Sequence, residues 1–227
     1  MRHTLFASFL SALCAAHLSC GVLSAEDSHA HHNAHSHAYP HTHTTDSANQ
    51  ATISKAILEA MHAPMMLQDP SESKSPEIDY LTDMIPHHQG AVDSTTLLLP
   101  HITDDELKTL AQNIISSQTK EIEDFKALLE SNTLTNTTLS NADYKEFLKA
   151  NKKAMESMMH QMHAVQPTDD IQKDFVRAMI AHHNGAIKTS KIVLAYAKDP
   201  QVRKIAQSII ADQEGEVKLM QKLLKKL

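Results

Sequence analysis

Glycine is scarce, tryptophan is absent, and only two cysteines occur in 227 residues. With 4 glycines and 4% aromatic residues, the chain lacks both the turn residues and the side chains that a many-stranded sandwich or barrel needs. Ala, Leu, Ile, Lys, Glu and Gln fill the space instead, so the expectation is an all-α fold. A hydrophobic share of 41% supplies one well-buried domain with extensions. Positive charge is also short. The formal net charge is -6 and the only basic cluster is the C-terminal Lys225-Lys226, which removes nucleic acid as an expected partner. No Ser/His/Asp set, phosphate-binding glycine loop or cysteine nucleophile is legible, so the reading leans away from an enzyme. What the chain does have is 17 histidines and 11 methionines.

Residues 1–25 read as an export signal, with Arg2, a short apolar run from Leu5 to Leu18, and a small-residue cleavage site at Leu23-Ser24-Ala25. The run is too short and broken to span a bilayer, so no transmembrane segment is expected after its removal, and the mature chain is expected in the periplasm or secreted. Cys14 and Cys20 both lie in this signal, which leaves the mature chain without disulfide or thiolate ligand. A lipoprotein anchored at Cys20 is the weaker alternative, because His17 stands where such a signal carries an aliphatic residue. Residues 26–52 read as a disordered leader carrying His29, His31, His32, His35, His37, His41 and His43. Imidazoles that dense can capture Cu(II), Ni(II) or Zn(II); the plain alternative is a solubilising tail.

The remainder is duplicated. DYLTDMIPHHQGAVDSTTLLL from Asp79 is matched by DFVRAMIAHHNGAIKTSKIVL from Asp174, at the offset of 95 that separates His87 from His182. The register persists through Leu110-Ala111-Gln112 against Ile205-Ala206-Gln207, and Gln118 and Glu121 against Gln213 and Glu216. Each copy predicts an αα-hairpin: repeat one at 76–130, a linker at 131–140, and repeat two at 168–227. Ser75 with Pro76, Thr103 to Glu106, Thr168-Asp169, and Asp199-Pro200 are the expected helix starts. Two hairpins that each need to bury an apolar stripe predict a four-helix bundle with an internal pseudo-two-fold axis. Ahead of each hairpin lies a Met-bearing helix, one from about Ile53 to Leu67 within residues 53–75 and one within 141–167. These either cap the bundle or lie along it.

The paired histidines carry the chemistry. Neighbours on a helix diverge by about 100 degrees, so one of each pair is expected to point inward, His88 and His183, and the other along an edge, His87 and His182. Gly90 and Gly185, in matching helix-interior slots, predict close helix crossings. Gln118, Glu121, Gln213 and Glu216 interrupt apolar stripes and should meet polar groups across the bundle, as carboxylate or amide partners that orient imidazoles. Met84 with His88 and Met179 with His183 can present sulfur and nitrogen to one point. Met155, Met158, Met159, His160, Met162 and His163 form a second thioether-imidazole surface, a donor set that favours copper. The alternative is that the imidazoles form a buried hydrogen-bond network and the methionines fill the core. A di-iron pattern is absent from the repeats; Glu59-x-x-His62 is a lone match outside them. Asp79, Asp83 and Asp174 read as first-turn charges favoured by the helix dipole.

The tandem MI-x-H-H-x-G-A blocks, each followed by A-Q-x-I-I-x-x-Q-x-x-E, resemble domain-of-unknown-function family 305, secreted bacterial proteins placed in the ferritin superfamily. The resemblance runs from about Pro76 to Leu227. It implies a ferritin-like bundle in which the His-His pairs are functional, and, through some members, periplasmic copper binding by Met and His. Together these readings lead to an exported copper-binding protein that buffers the ion or hands it to a periplasmic metal-handling partner. The alternatives are a metalloenzyme oxidising Cu(I) or Fe(II), and a metal-independent interaction module.

Overall fold

The computed structural model describes residues 43–131 and 133–227. The expected signal, with Cys14 and Cys20, and the leader histidines His29, His31, His32, His35, His37 and His41 lie outside these residues. The described residues contain six α-helices: α1 (His43–Met66), α2 (Pro76–Leu98), α3 (Asp105–Glu130), α4 (Asn141–His163), α5 (Ile171–Tyr196) and α6 (Pro200–Lys226), with one 3-10 turn at Leu99–His101. None of these helices is long and apolar enough to cross a membrane.

Helix starts follow side-chain chemistry. Ser75, Ser140 and Asp199 cap α2, α4 and α6 by accepting backbone N–H groups, with Pro at the first turn of α2 and α6. Two starts differ from the sequence reading. Asp104, not Thr103, caps α3, because Thr103 is held outside the helix by Gln172: its N–H donates to Gln172 Oε1 at 2.9 Å. Asp170 caps α5, because the Thr168 N–H and hydroxyl are drawn to Asp174 Oδ2. Helix α1 begins at His43 rather than near Ile53, so 43–52 is helical rather than part of an unstructured leader.

The pairs α2–α3 and α5–α6 form the two hairpins, and α2 packs on α5 between them. Helices α1 and α4 lie alongside rather than cap the ends, α1 against α2 and α4 against α5, so each half is three helices. The paired glycines make this possible. A Cβ at Gly90 would fall on the carbonyl oxygen of Met61 in α1, and one at Gly185 on the Met158 sulfur in α4. Met158 can swing aside and the Met61 backbone cannot. Gly90→Ala is therefore expected to lower the unfolding free energy by about 3 kcal/mol, while at Gly185 a similar strain is largely offset by alanine's helix propensity, leaving a change under about 1 kcal/mol. Urea midpoints at unchanged slope would measure the difference.

The apolar core falls into two clusters. One contains Ile57, Met61, Leu107, Ile114, Phe175 and Met179. The other contains Leu81, Met84, Phe125, Phe147, Val193 and Ile209. Along α2 the chain passes from the second cluster, through Tyr80, Leu81 and Met84, to the first at Ala91 and Leu98; along α5 it passes from the first, which holds Ile171 to Ala181 and also Ile187, to the second at Ala186 and Val193. The two helices therefore run in opposite senses, and their His-His pairs fall in the same interval between the clusters.

Candidate metal centre

A buried polar layer occupies that interval. His87, His88, His182 and His183 are each no more than 3% exposed, and Gln118 and Gln213 join them from α3 and α6. Both histidines of each pair are inside, which corrects the expectation that His87 and His182 lie along an edge. One member of each pair faces its own hairpin partner, while the other faces the opposite repeat, because α2 and α5 are covered on several sides at once.

From the outside inward, the layer reads the same from either end. Glu121, a quarter exposed, sets Oε2 2.9 Å from His88 Nε2, and Glu216 sets Oε2 2.7 Å from His183 Nε2. At the centre the His87 and His182 rings stack, 3.7 Å between centroids and tilted by 35°. Both ring nitrogens of His87, His88 and His182, Nδ1 of His183, and Oε1 of Gln118 and of Gln213 are buried without a hydrogen-bond partner, so Glu216 completes a hydrogen bond to its histidine while Glu121 stands near His88 without the alignment for one. Burial, and then the charge of the neighbouring imidazoles, holds His87 and His182 well below the ordinary histidine value, so both are neutral at pH 7. Neutral imidazole is the ligating form.

A cavity of about 440 Å³ between α2, α4 and the loop at Pro70 reaches this layer from outside, with Tyr80, Asp83, Met84, His87, Phe147 and Met155 on its wall. Two thioethers and one imidazole thus share a space with the carboxylates of Glu72, Asp79, Asp83 and Glu156. It is His87, rather than the expected His88, that shares a wall with Met84. Burial pushes the Asp83 carboxyl up to about 6, against a hydrogen bond from the Ser71 N–H and with Asp79 adding to the rise. Neither Asp79 nor Asp174 is a simple first-turn charge. Asp79 accepts from the Ser73 N–H and the Tyr144 hydroxyl, and Asp174 from Thr168 and the Ser54 hydroxyl, so each pins a loop and a flanking helix.

The other candidates separate. Met179 is fully buried in the first apolar cluster with Met158 and Met162, and Met159 packs half-buried against it. His160 and His163 face water on α4. Met155, Met158 and Met162 therefore form one inward stripe, and the Met and His residues of α4 do not converge on one point. His62, which the sequence reading set aside, lies against His163, with ring centroids 5.1 Å apart. The lone Glu59-x-x-His62 match was the only signal for it.

The donor types suit a soft or borderline cation: imidazole backed by carboxylate, with thioether nearby. The spacing is tighter than a bound ion needs. Among the described residues, no three His, Cys, Asp or Glu side chains are placed to share one ion. With a metal–nitrogen bond of about 2.0 Å, two imidazoles on one ion hold their ring centres roughly 4.5 Å apart at a right angle and 5.2 Å at the tetrahedral angle. The stacked pair at 3.7 Å would have to part by about 1 Å to admit an ion.

Comparison with known proteins places this geometry in a family. Residues 77–224 match the family described as "Domain of unknown function (DUF305)". An uncharacterised protein, L153, of Acanthamoeba polyphaga mimivirus is 36% identical over 52 residues, which is 23% of this chain and 34% of that protein. The matched stretch thus spans about a third of that relative's length. The crystal structure of a DUF305 fragment from Deinococcus radiodurans is similar with a TM-score of 0.49 and 22% identity, covering 70% of this chain and 100% of the fragment.

Proposed function

The chain belongs to the DUF305 family, and from that premise we propose that it is an exported, non-catalytic metal-binding protein whose folded part takes up copper through the buried His layer. The observation that carries the reading is the stacked His87 and His182, whose four ring nitrogens are buried, neutral and unpartnered. Leaving such groups unmet costs on the order of 1–3 kcal/mol each, a penalty that a ligand relieves and an apolar bundle does not need. His183, with Nε2 hydrogen-bonded to Glu216 and Nδ1 free, has the orientation that supported imidazole ligands use, and Glu121 lies 2.9 Å from Nε2 of His88 in the matching place. Met84 and Met155 line the cavity that opens onto His87, and thioether sulfur favours Cu(I). The His-rich leader collects the divalent form, and the export signal sets the periplasm as the place of buffering or hand-over to a metal-handling partner.

A second reading is favoured by the 3.7 Å stack: the layer fixes helix register and holds no ion. One pair of substitutions separates them. His87→Leu with His182→Leu replaces both unpartnered rings by apolar side chains of similar size, so the helices are retained. Competition against a Cu(I) chelator is then expected to show at least a 100-fold loss of affinity relative to the unaltered chain. Unchanged copper affinity with a raised melting temperature would leave register as the layer's only role.

A further inference from the structure

A second metal position, away from the buried layer, emerges where the end of α1 meets the end of α4. His62 comes from the last turns of α1, and His163 is the final residue of α4. Their rings stand edge to face at 90°, with centroids 5.1 Å apart. A tetrahedral ion bound by two imidazoles at about 2.0 Å requires ring centres roughly 5.2 Å apart. The surface pair has that separation between ring centres, so that rotation of the rings alone would aim one nitrogen of each at a shared ion, whereas the stacked pair in the layer would have to part. Edge-to-face contact alone is also an ordinary way for aromatic rings to pack. Here, however, His163 is exposed and His62 only half-buried, so little apolar burial holds the two together.

The surroundings supply further donors. A groove of about 360 Å³ is lined by Glu59, His62, Met162, His163 and Gln166. Glu59 precedes His62 by three positions and so lies on the same helical face, where its negative charge favours a cation nearby. Its carboxylate is shared only with the exposed Lys55, at 3.6 Å. Water fills the remaining positions of a surface site without cost.

We infer that His62 and His163, with water in the remaining positions, form a surface site for a divalent cation of the Zn(II), Ni(II) or Cu(II) class, which ties α1 of the first half to α4 of the second. Nitrogen and oxygen donors on an open groove suit such borderline ions, in contrast to the thioether-flanked layer. The site needs nothing from His87 or His182 and stands if the copper reading of the layer falls.

Zinc is the probe, because it is redox-silent and prefers tetrahedral geometry. In the full chain, calorimetric titration is expected to give one Zn(II) fewer per chain for His62→Gln and for His163→Gln, with no further loss when the two are combined. His160→Gln, one turn away on α4 and also exposed, keeps the full number. In the unaltered protein, zinc is expected to shift the imidazole signals of His62 and His163 together in NMR spectra. Equal stoichiometry in all variants, losses that add in the double variant, or imidazole signals that do not move would overturn the site.

Discussion

Glu77→Ala is expected to lower the free energy of unfolding by about 3–5 kcal/mol, the largest effect of any single substitution away from the histidine layer. Glu77 is fully buried at the first turn of α2. Its carboxylate accepts from the N–H and hydroxyl of Thr137 in the linker, from the N–H groups of Lys198 and Asp199 in the α5–α6 connector, and from the Ser75 hydroxyl. Burial alone would raise its pKa, but the Thr137 and Lys198 hydrogen bonds outweigh that and hold it below the ordinary glutamate value. Removing the carboxylate orphans several buried donors at once. The repeat contains its own control. Gln172 stands at the matching position of α5, and its Oε1 accepts from the N–H groups of Thr103 and Asp104 in the α2–α3 connector. Each hairpin thus captures the turn of the other. Gln172 is neutral and its partners are exposed, so Gln172→Ala should cost only about 1 kcal/mol. Chemical denaturation of the two variants measures both; equal costs would mean that burial and charge at Glu77 contribute nothing extra.

Acid is expected to destabilise the metal-free protein between pH 7 and pH 5. His87 and His182 have depressed folded-state values, so their contribution is complete above the unfolded value of about 6.5 and is lost as pH falls below it. Each ring then favours the unfolded chain by up to about 1.4 kcal/mol per pH unit. Asp83 works the other way. Its value is raised to about 6, so its contribution is present at low pH and lost as pH rises through that value. Two rings act against one carboxyl over this interval, and the net effect of acid is a loss of stability. Thermal melts at pH 7 and pH 5 would register it, and the His87→Leu/His182→Leu chain should reverse the slope by leaving Asp83 unopposed. A melting temperature that rises on acidification of the unaltered chain would show that the rings exchange protons with water as freely as in the unfolded chain.

The periodic features were legible residue by residue. The 95-residue offset, the capping serines and aspartates, and the apolar stripes led to six helices in two matching halves. Gly90 and Gly185 announced close crossings, since a helix interior tolerates glycine only where a neighbour demands the space. The His-His pairs stood out because a polar pair in a buried stripe needs a partner. Sequence spacing could not say which ring nitrogen meets which group. A dipeptide on a helix covers about 100 degrees of its surface, and both members become buried once α2 is enclosed by α1, α3 and α5. The α4 methionines illustrate the same limit, since composition grouped six Met and His residues that the helix rotation divides between core and water.

Composition, repetition and helix punctuation, all carried by residues near one another in the chain, determined an all-α duplicated protein with a histidine-rich middle. Docking decided the rest. The crossed capture of connectors by Glu77 and Gln172, the stacking of His87 on His182, and the meeting of His62 with His163 all join groups at least 60 residues apart. Such contacts depend on the rotation and offset of whole helices, quantities that interfaces of many side chains set together and that no local pattern encodes.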